Sequence, residues 1–452
     1  MIYFQKGWLQ MKKRILSIAV CGCLLLTGCG VGNTLGIEGL VASPNLTDEQ
    51  SNIHQTLENS VGKDIVLKYP ENGNNRSAYV VADIDMEFTD EALVFYEFKN
   101  AAAGDSGVRI NVMDQNEGGQ WKSVFDLTGK GTDIDKVAIS TLGSDRLKNI
   151  IVGYSSMTVD GKVLQISRYD GNEFMPSIFE DSYSIMEILD LDKDSFKEIF
   201  TVLNNTTTST ATASLIQSEN GEILKTHQVA MGSDTVSFTN STIGLVDEET
   251  PAVFVDCLKS TGELQTEIIY FRYNKLQNPL LQFPDKLLLK TSRPVGYYSK
   301  DIDGDGIIEI PSTELMPGHE NLPDEEKVLM TSWYNYSDYY NLTKKYSGYY
   351  SISDGYQMVF PKRWQGMVTT KIDTATNEAV FYKYEGNISG FMTELMRIAV
   401  CPKTKTSEYE YQGYEVIGSS GQLDYLVKLP TNRREPLILT IDEVKNSFFI
   451  IQ

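Results

Sequence analysis

The chain has 452 residues and carries 61 acidic against 40 basic side chains, which gives a formal net charge of −21. A surface of this charge repels nucleic-acid phosphates, so nucleic acid is excluded as a partner, while divalent cations are attracted. The length allows two or three domains, and five cysteines are present. Only Cys257 and Cys401 follow the first 29 residues, and their apolar surroundings predict two buried free thiols rather than a disulfide framework.

The first 29 residues have the pattern of an export signal. A basic segment, Met11–Arg14, precedes an apolar run, Ile15–Leu26, that is too short to span a bilayer. The run ends in Leu26-Thr27-Gly28-Cys29, which resembles the bacterial lipobox. An ordinary secretory signal would instead end in an Ala-x-Ala-like site.

The resemblance to a lipobox implies where the mature protein resides. Residues 1–28 would be a signal peptide, and the Cys29 thiol would receive a diacylglyceryl group before cleavage at its amino side. Two or more acyl chains meet the requirement for stable anchoring. We therefore expect an exported lipoprotein on the outer face of the cytoplasmic membrane, or on the outer membrane, depending on the host.

Residues 29–62 are predicted to form a tether and one helix. The stretch from Gly30 to Pro44 is small and polar. Thr47 and Gln50 have the spacing of a capping box, and Gly62 is placed to end the helix. The apolar residues between them recur on one helical face. They are Ile53, Leu57 and Val61.

An acidic segment recurs along residues 63–345. Asp190–Ile199 and Asp301–Ile310 both have acids at positions 1, 3, 5 and 9, followed by an apolar stretch. Asp83–Ala92 is a degenerate copy, and frames beginning at Thr141 and Gly244 retain few acids. The copies are spaced by about 50 residues, a period typical of propellers and solenoids.

Short strands are predicted after each copy, with no helix between them. The first strands are 92–98, 150–154, 199–204 and 253–258, and the second strands are 107–113, 163–169, 212–217 and 265–273. Several short strands in each unit favour the blades of a β-propeller, because a parallel sheet would need crossover helices. The repeated segments resemble FG-GAP and VCBS-type propeller repeats. The resemblance implies about five blades over residues 63–345.

The same resemblance implies a calcium loop in each well-preserved copy, and the residues suit that role. A hard dication requires six to eight oxygen ligands, and alternating acids in a tight turn direct their carboxylates toward one centre. Gly306 permits the sharp turn in the second loop. The predicted ligands are Asp301, Asp303, Asp305, the carbonyl of Ile307 and Glu309, with Asp190, Asp192, Asp194, the carbonyl of Phe196 and Glu198 in the other loop.

An ion-free alternative exists for every loop, because aspartates also close turns through hydrogen bonds of their own. Calcium is predicted at the Asp301 loop. At the Asp190 loop, where Ser195 replaces the glycine, both alternatives stay open. The Asp83 segment and the Thr141 and Gly244 frames are predicted to be turns without an ion.

Residues 346–452 lack the acidic pattern and are predicted to form a small α+β domain. Strands are indicated at 366–371, 379–384, 395–401, 425–429 and 448–451. Thr440 and Glu443 have the spacing of a helix cap. The opening segment from Tyr356 to Trp364 is similar to that of small PsbP-like domains, and this resemblance implies no functional residue.

No catalytic constellation is readable. The three histidines are scattered, and neither a His-Glu-x-x-His motif nor a Gly-x-Ser-x-Gly elbow occurs. The sequence therefore predicts a binding or scaffolding lipoprotein with a polysaccharide or protein partner. The alternatives are a propeller-based glycoside hydrolase with central carboxylates and an accessory protein of envelope assembly.

Overall fold

The computed structural model describes residues 46–100, 107–144, 147–155, 161–205, 208, 210–219, 222–337, 341–432 and 434–451. The signal peptide, Cys29 and the tether lie outside these residues. The chain divides into two compact units, residues 1–54 and 55–452. The first unit is described only from residue 46 onward. None of the helices described is both long and apolar enough to cross a membrane.

The predicted amino-terminal helix is confirmed as α1 (Asp48–Val61). Its capping box is formed in both directions. The amide of Gln50 donates to Oγ1 of Thr47 over 3.1 Å, and the amide of Thr47 donates to Oε1 of Gln50 over 3.2 Å. These bonds satisfy amide groups that a helix start leaves without intrahelical partners. Gly62 follows the helix with a φ of 93°, as expected of a residue that ends a helix.

The described residues are mainly β, as predicted, and the strands form six antiparallel sheets. Sheet I contains β1 (Ile65–Leu67), β2 (Tyr79–Ala82), β3 (Glu91–Phe98), β4 (Arg109–Gln115) and β5 (Trp121–Thr128). Sheet II contains β6 (Asp133–Ser140), β7 (Asn149–Ser155), β8 (Lys162–Tyr169) and β9 (Phe174–Tyr183). Sheet III contains β10 (Ile185–Leu189), β11 (Glu198–Asn205), β12 (Thr210–Glu219) and β13 (Glu222–Ala230).

The remaining strands continue in chain order. Sheet IV contains β14 (Thr235–Leu245), β15 (Pro251–Lys259), β16 (Leu264–Phe271) and β17 (Leu276–Gln277), followed by the short helix α2 (Pro279–Gln282). Sheet V contains β18 (Ile310–Leu315), β19 (Leu329–Ser337), β20 (Asn341–Ser351), β21 (Tyr356–Val359) and β27 (Phe448–Ile450). Sheet VI contains β22 (Val368–Asp373), β23 (Glu378–Lys383), β24 (Glu394–Pro402), β25 (Glu415–Ser420) and β26 (Leu423–Lys428). The last two helices are α3 (Thr406–Tyr411) and α4 (Ile441–Ser447).

Sheets I to V pack against one another in sequence order. One buried apolar cluster contains side chains of sheets I and II, and further clusters join II to III, III to IV, and IV to V. Representative pairs are Phe95 with Val152, Leu164 with Ile199, Val202 with Val255, and Phe254 with Ile310. Each of the intermediate sheets is therefore buried on both faces, which explains why its central strands are apolar along most of their length.

Two isolated parallel bridges connect neighbouring sheets. Asn72, between β1 and β2, forms a parallel bridge to Lys136 of β6. Leu245 of β14 forms a parallel bridge to Ile307, just before β18. The closed ring of five blades predicted from the repeats stays a prediction.

The carboxy-terminal residues form the predicted mixed structure. Sheet VI and α4 enclose a core with sheet V, in which the indole of Trp364 donates to the carbonyl of Leu437 over 2.6 Å. The predicted boundary between residues 345 and 346 lies inside β20, which pairs with β19 on one side and β21 on the other. The boundary between two separate domains stays a prediction. Cys257 and Cys401 are buried free thiols, as expected.

Candidate functional site

Three acidic loops each lead directly into a strand, which is β3, β11 or β18. Their carboxylates converge in three groups, in which one oxygen from each residue lies within 4.8 Å of the others. Oxygen-only groups of this kind can hold a hard metal ion. The groups are Asp83 with Asp85 and Glu91; Asp190 with Asp192, Asp194 and Glu198; and Asp301 with Asp303 and Glu309.

The final glutamate shapes each loop in the same way. Oε2 of Glu309 accepts from the amide of Ile302 over 3.0 Å, and Oε2 of Glu198 accepts from the amide of Leu191 over 2.8 Å. Glu91 accepts from the amide of Ile84 over 2.5 Å. All three glutamates are buried. The residue at the ninth position of the repeat therefore closes the loop and places one buried carboxylate beside it.

The first aspartate closes each turn through backbone amides. In the Asp301 loop, its Oδ2 accepts from the amide of Gly306 over 2.8 Å, and Gly306 has a φ of 85°. Ser195 holds the equivalent place in the second loop, with a φ of 75°, and its amide donates to Asp190 over 3.1 Å. A positive φ costs more free energy for serine than for glycine. The hydrogen bonds of the turn offset this cost.

The predicted ligands of the Asp301 loop are only partly brought together. Asp301, Asp303 and Glu309 form one group, but Asp305 is not a member of it. The ammonium of Lys345, on β20, lies 2.9 Å from Asp303, 2.6 Å from Asp305 and 3.0 Å from Glu309. The loop therefore already contains a positive charge, which no local pattern around residue 301 could indicate.

In the Asp190 loop, all of the predicted carboxylate ligands lie close together. All four acids belong to one group. The amide of Phe196 donates to Oδ1 of Asp194 over 2.8 Å, which orients that carboxylate. The side-chain amide of Gln217 donates to Oδ2 of Asp192 over 2.8 Å.

Crowded carboxylates in a buried place resist ionisation. Burial, with the neighbouring Asp192, Asp190 and Asp194, raises the pKa of Glu198 to about 8. Burial raises the pKa of Glu91 to about 7, and the nearby Asp85 and Asp114 add to this effect. Burial also raises the pKa of Glu309, but hydrogen bonds, including one from Lys345, oppose the shift.

A polar cleft of about 390 Å³ lies between parts of sheets I to IV. Its walls come from the β1–β2 connection, β6, the start of β8, β10 with the residue before it, and β14. The lining residues are Asn72, Gly73, Asp135, Lys136, Lys162, Ser184, Ile185, Met186, Glu187, Phe238, Thr239, Asn240 and Ser241. They span some 170 positions of the chain. No local sequence motif could therefore have indicated this cleft.

Charged groups in the cleft are paired internally. Oδ1 of Asp135 accepts from Lys162 over 2.6 Å and from the side-chain amide of Asn72 over 2.7 Å. Burial opposes ionisation of Asp135, but these bonds and one from Tyr183 outweigh it and hold its pKa below the ordinary value. Lys136 likewise lies 3.0 Å from Glu187. The cleft thus presents hydroxyl, amide and already paired ionic groups.

Comparisons with known proteins give little further information. No protein-family model matches the chain, and no curated protein matches it either. Among solved structures, the chain is similar to the exotype rhamnogalacturonan lyase YesX, with a TM-score of 0.29 and 12% identity over 72% of this chain and 73% of that one.

Two other solved structures give similar values. A rhamnogalacturonan lyase of Bacillus licheniformis has a TM-score of 0.29 and 11% identity, covering 72% of this chain and 76% of its own. A GH43 β-1,3-galactosidase with galactodeoxynojirimycin has a TM-score of 0.27 and 8% identity, covering 62% and 97%. Likeness at this level does not support an argument about fold or function.

Proposed function

We propose that this chain is an exported, lipid-anchored binding protein whose sheets form a β-propeller, and that the polar cleft takes a neutral saccharide segment. The observation behind this proposal is the lining of the cleft. The hydroxyl and amide side chains come from Asn72 in the β1–β2 connection, Ser184 just before β10, and Thr239, Asn240 and Ser241 of β14, while the lysines and carboxylates are paired with each other. A ligand rich in hydroxyl groups can form hydrogen bonds with such walls without lying against an unpaired charge.

The propeller arrangement is supported by the packing order of the sheets. Sheets I to V share cores consecutively, and parallel bridges connect inner edges of sheets I and II and of sheets IV and V. Radial repetition of four-stranded meanders has this pattern. The cleft, whose walls include β6, β10 and β14, would then lie at the centre of the ring.

Membrane anchoring through Cys29 is proposed from the sequence alone, since the lipobox-like segment Leu26–Cys29 precedes the described residues. Calcium is proposed as the cation of the acidic loops. Carboxylate oxygens without nitrogen or sulfur donors favour a hard cation, and extracellular calcium modules use ligands of this type. Bound calcium would stiffen the turns from which β3, β11 and β18 start.

A glycoside hydrolase is the second candidate, because two carboxylates, Asp135 and Glu187, line the same cleft. Glycoside hydrolysis requires one carboxyl group to remain protonated as a general acid, which needs a raised pKa. The pKa of Asp135 is lowered, and Glu187 accepts from Lys136 and from Ser241. Binding without hydrolysis is therefore the better supported function of this cleft.

The proposal is tested by presenting the full-length protein, purified in detergent, to an array of bacterial and plant cell-wall oligosaccharides. Thr239 is an exposed residue of the cleft wall, so Thr239→Trp should obstruct the cleft without disturbing a core. Thr261, in the exposed turn between β15 and β16, gives a matched control. We expect at least one saccharide to bind the wild type and Thr261→Trp equally, and Thr239→Trp at least about tenfold more weakly.

Two results would contradict this function. One is the absence of any bound saccharide, with binding of a protein partner in its place. The other is a saccharide bound equally well by both tryptophan variants, which would place the ligand outside the cleft. Release of a shortened sugar from a bound oligosaccharide, lost in Glu187→Gln, would favour the hydrolase.

A further inference from the structure

The three acidic loops differ in the side chain that a later strand of the same sheet presents to them. Lys345 of β20 faces the Asp301 loop, and Gln217 of β12 faces the Asp190 loop. Asp114 of β4 lies directly opposite Glu91 in the register of sheet I. The facing group is thus positive at the Asp301 loop, neutral at the Asp190 loop and negative at the Asp83 loop.

At the Asp301 loop, the ammonium of Lys345 contacts three carboxylates within 3.0 Å. The hydroxyl of Tyr346 adds a 2.6 Å hydrogen bond to Oδ2 of Asp303. A dication that takes these oxygens as ligands must first displace Lys345, and the bond energy lost there reduces the net gain from binding. The loop with the best sequence match to a calcium site is therefore the one already supplied with a cation.

At the Asp190 loop, the facing group is an amide. Gln217 donates to one oxygen of Asp192, and its own oxygen accepts from the hydroxyl of Thr226 over 2.6 Å. An amide orients the carboxylate without cancelling its charge. Four acids consequently remain available to a cation.

At the Asp83 loop, the facing group adds negative charge. Residues directly opposite in an antiparallel pair have neighbouring side chains, and like charges at such positions are destabilising. Tyr169 donates to Oδ2 of Asp114 over 3.2 Å, which orients that carboxylate and leaves its charge in place.

A second observation at this loop points to a ligand. Glu91 is 0% exposed, and its Oε1 has no hydrogen-bond partner among the described residues. A buried carboxyl oxygen without a hydrogen-bond partner is costly, and a bound cation would satisfy it. Two lysines lie nearby without supplying one: Lys148 donates to the backbone carbonyl of Asp83, and Lys122, the register partner of Asp114, is exposed.

We propose that the facing side chain sets the order of divalent-cation affinity, so that the tightest site is the Asp83 loop completed by Glu91 and Asp114. The Asp190 loop follows, and the Asp301 loop is weakest because Lys345 is its resident cation. This order reverses the one that the match to the repeat motif predicts. It rests on the proposed cation role of the acidic loops and is independent of any ligand in the cleft.

The test is calorimetric titration of calcium alone into the full-length protein, purified in detergent and stripped of metal with a chelator. Single variants assign the sites: Asp85→Asn for the first loop, Asp192→Asn for the second and Asp303→Asn for the third. We expect the tightest calcium site to disappear in Asp85→Asn and to persist in Asp303→Asn.

The facing residues are then exchanged. Asp114→Asn should weaken the tightest site by about tenfold or more, as loss of a charged group beside a metal does. Gln217→Glu should tighten the second site, and Lys345→Met should tighten the third, each by a similar factor. Asp114→Asn should also melt no lower than wild type in chelator, because like-charge repulsion is relieved, so loss of calcium binding is distinguished from loss of fold.

Three results would overturn the proposal. They are disappearance of the tightest site in Asp303→Asn, unchanged calcium affinity in Lys345→Met, and no calcium binding by the wild type at millimolar concentrations. The saccharide result with Thr239→Trp does not depend on any of these, so the binding function and the cation order succeed or fail separately.

Discussion

The hydroxyl of Tyr183, at the end of β9, donates a 2.6 Å hydrogen bond to Oδ2 of Asp135 on β6. The tyrosine reaches across sheet II because Gly153 of β7 has no side chain: a Cβ built there would lie 1.8 Å from the tyrosine hydroxyl. The cleft carboxylate is thereby fixed from beneath by the outermost strand of its own sheet.

Removal of this hydroxyl should destabilise the protein. A buried hydrogen bond to a charged acceptor contributes roughly 1.5–3 kcal/mol, and Tyr183→Phe leaves Asp135 with Lys162 and Asn72 as partners. We expect a loss of unfolding free energy in that range by chemical denaturation. Tyr411→Phe is the control, since Tyr411 is 95% exposed. Equal stability of both variants would show that the bond contributes nothing net.

The contribution of Asp135 should depend on pH. Its folded-state pKa is lower than the ordinary value of about 3.9, so the stabilisation is complete above that value and disappears as pH falls through the folded pKa. Asp135→Asn removes the titrating group. We expect wild type to exceed Asp135→Asn by about 1–3 kcal/mol at pH 7 and the difference to shrink below pH 4. A constant difference from pH 7 to pH 3 would contradict this assignment.

The Asp301 loop should respond to calcium only weakly. In the double variant Asp303→Asn, Asp305→Asn, Lys345 loses two of its carboxylate partners. These pairs are partly exposed, so we expect the free energy of unfolding in chelator to fall by no more than about 1 kcal/mol. In wild type, any stabilisation assigned to this loop should appear only at millimolar calcium, as for weak extracellular modules. A calcium-dependent shift at micromolar concentrations that the double variant abolishes would contradict this expectation.

Cys29 should be the lipidated residue. Intact-mass analysis of the membrane-extracted protein should give a mature chain that begins at a modified Cys29, because the thiol is the group that forms the thioether. Cys29→Ala should leave an uncleaved precursor or a released protein. A wild-type amino terminus at any other position would exclude the lipobox assignment.

The boundary predicted near residue 346 can be located by limited proteolysis. β20 spans residues 341–351 and is hydrogen-bonded on both sides, so we expect proteases to spare it and to cut exposed loops first. Fragments 63–345 and 346–452 should then not separate under native conditions. Clean cleavage between them, followed by two independent melting transitions, would instead establish two domains that meet within one sheet.

The sequence alone determined the local structure of this protein. The capping box of α1, the strands after each acidic segment and the turns around Asp190 and Asp301 follow from residues close together in the chain. Hydrogen bonds between a side chain and an amide two to five residues away suffice for such turns, and alternating or continuous apolar residues suffice for strands.

Tertiary structure alone decided what those local elements face. Lys345 enters the Asp301 loop from a strand that follows it by more than thirty residues, and Asp114 opposes Glu91 only through the register of sheet I. The cleft exists because segments from four parts of the chain, near residues 72, 135, 185 and 240, come together. Charge interactions depend on distance in space and on burial, and a sequence motif specifies neither for groups on separate strands. The motif therefore indicated where a cation could bind, and packing determined which charged groups face each loop.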